Sequence, residues 1–484
     1  VRFLGLAAGP DDRDPLVTGV SLDSRAVLPG DLYAALPGAH THGAAHIPQA
    51  VAGGAVAVLT DPDAPLADPA VPVLVVEDPR ARLGGLAAHV YGDPSRELTV
   101  VGVTGTNGKT TTSYLLESGL RAAGRTTGLI GTVETRVAGE VVASVRTTPE
   151  APDLQALLAV MLERGVGAVA MEVSSHALAL GRVDGTLFEV GVFTNLSQDH
   201  LDFHRSLEDY FAAKARLFAP GRCRTAVVNV DDSWGRRLVE LLRVPQVTVS
   251  LQGHPTADWR AFDVAGGAAG TSCRARGPAG EDVALRCRLA GEFNLGNALA
   301  ALAALVAAGV DPAAAAAGIG ALDTVPGRME RVDAGQPFTA LVDYAHTPGA
   351  VTSLLATLRP LTPGRLVIVI GCGGDRDRAK RPLIAAAAAS GADLAVFTSD
   401  NPRSEDPDDI LAEMIRGLEP GGWVVEPDRR SAIALAVHGL GAGDTVVVAG
   451  KGHETGQERV GRVTDFDDRA QLRLALAATA GAGA

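Results

Sequence analysis

Short runs of aliphatic and β-branched residues alternate along the chain with longer Ala/Leu-rich stretches of helical period. That alternation predicts parallel sheets covered by helices. The informative strands are residues 98–103, 166–172, 190–194, 226–230, 366–370, 394–398 and 445–449. Most of them run straight into glycine or polar clusters, and in open parallel sheets ligands bind beyond the strands' C-terminal ends. Helices are predicted over 110–123 and 210–218, and the Ala-rich patch 313–317 reads as a small-residue helix. The Gly/Ala-rich segment 266–286 reads as a β-hairpin region.

Two turn-rich stretches divide this pattern. Gly92-Asp93-Pro94-Ser95 precedes a fresh strand, and Val325-Pro326-Gly327-Arg328 ends a helical region. The expected fold is therefore α/β in three domains: a small α/β N-terminal domain (1–97), a central P-loop parallel-sheet domain (98–326) and a C-terminal Rossmann-like domain (327–484). A length of 484 residues suits about three domains.

Composition narrows the class. Apolar residues are 46% of the chain, ample for buried cores, and the formal net charge is -13. No basic face is visible, which argues against a nucleic-acid or anionic-membrane partner. The longest apolar run, 298–310, is too short for a membrane span and stops at Asp311-Pro312. Four scattered cysteines read as reduced thiols, and the first residues lack a signal-peptide pattern, so a cytoplasmic protein is expected. Only four of the 43 basic residues are lysine: Lys109, Lys214, Lys380 and Lys451. In so arginine-biased a chain, each is a candidate for a place where guanidinium chemistry does not serve.

Residues 98–112 read LTVVGVTGTNGKTTT, an apolar strand feeding a glycine-rich turn and then a helix. Glycines let main-chain N–H groups curl around an anion, and the helix N-terminus adds its positive dipole end. Gly105, Thr106, Asn107, Gly108, Lys109, Thr110 and Thr111 are the candidate phosphate binders. Lys109 is expected to reach the β- and γ-phosphates, and the Thr110 hydroxyl to ligate Mg²⁺. One glycine of the usual spacing is replaced by Val103, with glycines at 102 and 105 instead.

A carboxylate, Glu172, ends the strand beside this loop, well placed for Mg²⁺. The next strand runs into TNLSQDHLDFH, which holds His200 and is too polar for a plain loop beside a buried sheet. Lys214 follows on a helix, flanked by alanines.

The segments TGTNGKTT, MEVSSHAL, TNLSQDHLDFH, AAKARLF, GEFNLGNALAAL, PGRMERV, DYAHTPGA, GGDRDRAKRP, DNPRSEDP and AGKGHE occur in order over residues 104–454. Together with SLDSRAV near the N-terminus, they resemble the Mur ligase family, in particular its branch adding the third amino acid of peptidoglycan precursors. The resemblance implies that Lys214 is carbamylated by CO₂, becoming a carboxylate-like ligand for a second Mg²⁺, a change that needs a neutral amine. It implies that Lys109, Lys214 and His200 are catalytic, and that Glu172 and His200 serve the metals with Thr110 and Lys214. Asn294 and Asn297 would face the adenine, and Arg328 and Asp343 would meet ATP across an interdomain cleft.

For the acceptor, the resemblance makes the first domain the UDP-sugar site, through Leu22, Ser24, Ala39, His40 and Thr41. Thr147, Thr148, Ser174 and Arg182 would bind the muramoyl-dipeptide; Leu180 stands where some members have glutamine. Ser24 and Thr148 taken alone read as turn or cap residues. The amino-acid pocket would comprise Arg376, Asp400, Asn401, Pro402, Arg403, Gly450 and Glu454. Arg403 is the discriminating group: meso-diaminopimelate carries a distal carboxylate that a guanidinium grips bidentately, and lysine carries none. Its bland alternative is a surface ion pair to Glu405 or Asp406.

The implied activity is ATP-dependent addition of meso-2,6-diaminopimelate to UDP-N-acetylmuramoyl-L-alanyl-D-glutamate through an acyl phosphate, serving cell-wall synthesis, shape and division. A monomer is expected, with the C-terminal domain swinging about 325–328. The rivals are an L-lysine-adding member, a folylpolyglutamate synthase-like ligase and a P-loop switch or motor.

Overall fold

The computed structural model describes residues 15–38, 41–66, 70–143, 146–267 and 270–481. Three sheets follow one another along the chain. The first has four parallel strands in chain order, Gly19–Ser21, Asp31–Ala34, Ala57–Thr60 and Val73–Val75. Helix Pro79–Val90, capped by Asp78, closes this unit and packs on helix Ala151–Glu163 of the next. At that seam Gly84 lies so close to the Asp184 carbonyl that no Cβ fits.

The second sheet has eleven strands. Its centre is parallel: Gln246–Ser250, Cys223–Asn229, Phe188–Phe193, Thr99–Thr104, Ala168–Glu172 and Thr127–Ile130, in that spatial order. Trp259–Gly267 joins Gln246–Ser250 in parallel, and antiparallel strands extend the sheet beyond it and at the opposite end. Helices Lys109–Ala122, Glu292–Ala307 and Pro312–Ala321 build the core on one face. The long apolar run belongs to the middle helix of these three, buried from Ala298 through Leu305. Its alanines allow close packing, and Gly119 accommodates Leu305.

The third sheet has six strands ordered Glu330–Arg331, Thr339–Asp343, Thr445–Ala449, Leu366–Ile370, Leu394–Phe397 and Trp423–Val425, parallel except for the first. A separate hairpin, Gly456–Arg459 with Arg462–Asp465, sits beyond its C-terminal edge. Among the described residues, no helix is long and apolar enough to cross a membrane.

All seven predicted strands are present, with ends displaced by at most three residues. The hairpin expected over 266–286 is instead three strands, Trp259–Gly267, Gly270–Arg276 and Asp282–Cys287. The first starts earlier because Trp259 is 1% exposed and anchors it in the core. The predicted helix over 210–218 is Leu207–Ala215 followed by a 3-10 turn, started by the Ser206 side chain accepting from the Asp209 N–H.

Candidate active site

Strand Thr99–Thr104 ends at Gly105, whose φ of +151° begins a loop closed by Gly108 at +88°. Added Cβ atoms there would strike Thr194 and Asn297. Gly102 is not a loop residue: it lies within the strand, where Phe188 packs against it. Segment 194–197 braces the loop, with Thr106 N donating to Asn195 O (2.8 Å) and Asn107 N to Asn195 Oδ1 (3.0 Å). Its concentration of amides and hydroxyls thus has a structural cause.

Lys109 Nζ folds back onto Gly105 O (3.0 Å) and Thr106 O (2.8 Å), and burial lowers its pKa. Thr110 Oγ1 donates to Glu172 Oε2 at 3.1 Å. Thr132, which the sequence reading missed, adds its N–H (2.8 Å) and hydroxyl (3.0 Å) to the same carboxylate. Thr111 is buried just below on helix Lys109–Ala122. Asn294 and Asn297 are buried on helix Glu292–Ala307, and Asn297 stands over Gly108.

Lys214 is 1% exposed, and its Nζ donates to Gly105 O at 2.6 Å, 4.4 Å from the centre of the Tyr210 ring. Burial, reinforced by Lys109, pushes its pKa well below the ordinary lysine range. His200 adopts a left-handed φ of 55° and its Nε2 lies 3.4 Å from Asp199. Burial brings its pKa to about 3, so the imidazole is neutral, as a metal ligand must be. A buried amine whose pKa is lowered, a neutral imidazole and a carboxylate tied to a hydroxyl at a glycine loop are compatible with a nucleotide, Mg²⁺ and a carbamate. Carbamylation would replace the amine's contact to the carbonyl with an anionic ligand.

The third sheet closes on this loop. Arg328 donates to Thr110 Oγ1 at 2.8 Å and lies 4.3 Å above the Tyr344 ring. Asp343 is buried and accepts from the N–H groups of Met329 and Ala345, both at 2.8 Å, so it pins the turn that presents Arg328. Lys380 Nζ reaches Asp199 at 3.3 Å, and His346 Nε2 lies 3.8 Å from the same carboxylate. The hydrogen bond from His346 and the charge of Lys380 hold the Asp199 carboxyl well below the usual range despite its burial.

A cavity of about 460 Å³ opens between the second and third sheets, lined by Thr132, Thr147, Tyr344, His453 and Glu454 among others. The Thr147 and Thr132 hydroxyls lie 3.0 Å apart, within hydrogen-bond distance. The Thr148 hydroxyl is spent on Glu172 O (2.9 Å), and Ser174 caps a short helix by accepting from Ala177 N (3.1 Å). Arg182, Arg80 and Arg146 all meet Glu150, joining the first two sheets. The Leu180 carbonyl accepts from Arg80. In the first domain, Leu22, Ser24 and Thr41 follow strand ends, and the Ser24 hydroxyl donates to Gln49 (2.9 Å). Ala39 and His40 lie outside the described residues.

Around the third sheet, Asp400 and Asn401 are buried. Asn401 donates to Glu454 (2.8 Å) and accepts from Lys451 (3.1 Å), which also pairs with Glu454 at 3.1 Å. Pro402 leads into Arg403, at φ 54°. Arg403 donates to Gly374 O (2.8 Å) and pairs with Glu458 (3.4 Å), not with Glu405 or Asp406. Glu405 is held by Arg381 at 2.7 Å. Arg376 is exposed beside this cluster, and Gly450, at φ 110°, faces Asp400. The hairpin carrying Glu458 had no clear local signal.

Residues 16–91, 103–305 and 327–452 match, in order, the Mur ligase family catalytic domain, the Mur ligase middle domain and the Mur ligase glutamate ligase domain. The chain belongs to the Mur ligase family. A Streptomyces avermitilis protein named UDP-N-acetylmuramoyl-L-alanyl-D-glutamate--2,6-diaminopimelate ligase is 58% identical, over 98% of this chain and 96% of its own length. A protein of the same name from Corynebacterium glutamicum is 48% identical over 95% of this chain and 92% of its own. A solved structure bearing that name superposes with a TM-score of 0.68 at 36% identity, covering 96% of this chain and 95% of the other. MurF ligase from Thermotoga maritima, solved in complex with ADP, shares the fold at 20% identity, with a TM-score of 0.66 over 98% and 100% of the two chains.

Proposed function

We propose that this chain is the ATP-dependent ligase that joins meso-2,6-diaminopimelate to UDP-N-acetylmuramoyl-L-alanyl-D-glutamate, as a cytoplasmic, monomeric step of peptidoglycan synthesis. The observation that carries the reading is the apposition of two strand-end sites. The phosphate loop with Lys109 and Lys214 faces the third sheet, whose Asp400–Arg403 and Gly450–Glu454 segments carry the amino-acid chemistry. Arg328–Thr110 and Lys380–Asp199 tie the two together.

A carboxylate oxygen leaves poorly until it is phosphorylated. The D-glutamyl γ-carboxylate takes the γ-phosphoryl group with release of ADP, and the amine of the amino acid then displaces inorganic phosphate to form the amide. The main-chain N–H groups of 108–110 cradle phosphate, those of Thr106 and Asn107 being held by Asn195, and Lys109 turns from its carbonyls to the phosphoryl oxygens. Asn294 and Asn297 flank the base, and Arg328, on its Asp343-pinned turn, closes over the nucleotide. Thr110, Glu172, His200 and a carbamylated Lys214 would hold two Mg²⁺ ions, which would supply positive charge opposite the phosphoryl oxygens.

Leu22, Ser24 and the 39–41 loop hold the uridine nucleotide, and Thr147, Ser174 and Arg182 line the way to the dipeptide. Thr148 contributes by fixing the Glu172 and Ser174 backbone. Arg403 grips the distal carboxylate, Glu454 and Asn401 the distal ammonium, and Arg376, Asp400, Pro402 and Gly450 shape the pocket.

The test is ADP release with Mg-ATP and UDP-N-acetylmuramoyl-L-alanyl-D-glutamate, with meso-diaminopimelate, L-lysine or no amino acid. Turnover is expected with diaminopimelate alone. Turnover with lysine instead would refute Arg403 as selector, and turnover independent of any amino acid would refute the ligase.

A further inference from the structure

The side chains of Arg429 and Asp468 are both 0% exposed and form a bidentate pair, Nε–Oδ1 2.8 Å and Nη2–Oδ2 2.7 Å. A buried ion pair is weak evidence for stability, since apolar residues of similar volume often serve as well. Its placement also runs against local preference. Arg429 is the first residue of helix Arg429–Val437, where the dipole disfavours a cation. A rule broken this deeply in a core calls for a compensating role.

The remaining guanidinium hydrogens indicate that role. Nη2 also donates to Ala449 O (2.9 Å) and Nη1 to Ser399 O (3.2 Å). These are the carbonyls immediately before Gly450 and Asp400. The strands they end or follow, Thr445–Ala449 and, two residues before Ser399, Leu394–Phe397, do not pair with each other: Leu366–Ile370 lies between them. One planar group therefore ties two non-adjacent strand exits across the end of a third. Only a guanidinium already locked by a carboxylate presents two further donors at fixed angles. The exits themselves leave little slack. Gly450 packs against Asp400, and a Cβ on Gly371 would strike the 398–400 backbone.

We propose that Arg429 and Asp468 are positioning residues for the amino-acid pocket, setting the separation of the Asp400–Arg403 and Gly450–Glu454 segments and hence the grip on diaminopimelate. This rests on the pocket assignment made under Proposed function. The pair touches no phosphate-loop residue, so its effect falls on one substrate of three.

The test uses the full chain and ADP release. Arg429→Met/Asp468→Leu replaces the pair with apolar groups, Asp468→Asn keeps its shape without the charge, and Arg403→Ala is the control for the pocket. Folded variants, checked by circular dichroism and melting, are expected to raise KM for diaminopimelate at least tenfold. KM for ATP and for the nucleotide-sugar peptide should stay within twofold. A diaminopimelate KM within twofold of the parent, or an equal rise for all three substrates, overturns the proposal. If Arg403→Ala also leaves that KM unchanged, the pocket assignment fails and the proposal with it. Should neither variant fold, hydrogen exchange in the unaltered chain decides. Amides 400, 401, 403 and 450–454 exchanging only with unfolding of the domain support the clamp, whereas exchange as fast as that of the 441–444 turn overturns it.

Discussion

The two strand-end sites handle buried charge in opposite ways. At the phosphate loop, the cations of Lys109 and Lys214 rest on main-chain carbonyls, and burial drives both toward neutrality. At the third sheet, cations are matched to carboxylates: Lys451 to Glu454, Arg403 to Glu458, Arg381 to Glu405 and Glu413, Arg429 to Asp468. The first site is organised around groups awaiting a ligand's charge. The second is a lattice of satisfied pairs into which, on the proposed function, a zwitterionic amino acid would exchange. Anionic ligands and a carbamate suit the former, and selection between similar amino acids suits the latter, because an incomplete exchange leaves a buried charge unpaired.

The sharpest way to break this contrast is Lys214→Ala. Loss of a metal-holding carbamate is expected to lower turnover by about 10³-fold or more. Added formate should partly restore ADP release, and an unimpaired variant would remove the carbamate from the account. Next in size, Arg403→Met should reduce kcat/KM for diaminopimelate roughly 100-fold, about 2–3 kcal/mol, while sparing KM for ATP. Competition between diaminopimelate and lysine would show whether discrimination falls in step.

Lys380→Met tests the join between the sites. It leaves Asp199 to His346 and His200, and a fall in kcat/KM of about tenfold is expected, as for a less populated closed state. Small-angle scattering should then show a larger radius of gyration, and an unchanged radius would assign Lys380 a different role.

The smallest effect concerns acid. Arg381 lowers the Glu405 pKa from 4.5 to about 2, so folding holds that proton off more strongly than the unfolded chain does. Its contribution is therefore complete above pH 4.5 and lost as pH falls toward 2, worth about 1 kcal/mol after solvent screening. In acid melts, Glu405→Gln should flatten the dependence in that window, and an unaltered slope would place the acid sensitivity elsewhere.

What could be read from the sequence was what is local. An apolar strand, glycines and a lysine share one turn and one helix start, so the phosphate loop was legible in fifteen consecutive residues. Gly102, inside the predicted strand, serves a different purpose, leaving room for Phe188 from another strand. Contacts assembled across the fold left no such trace. Thr132 meets Glu172 from 40 residues away, and Arg429 meets Asp468 from 39. Glu458 reaches Arg403 because a hairpin folds over the pocket, and nothing in GQERVGRV by itself says so. The lysine scarcity was the exception, a global count that pointed to local chemistry.

That scarcity has a practical corollary. Lys214, Lys380 and Lys451 are 1%, 8% and 0% exposed, and Lys109 is partly covered. The exterior therefore offers no freely accessible lysine amine, and an acylating reagent such as an activated ester is expected to leave the closed protein's side chains nearly unmarked. Labelling at these four positions becomes a footprint of opening and occupancy: each acquired tag would report a cleft that was ajar when the reagent arrived.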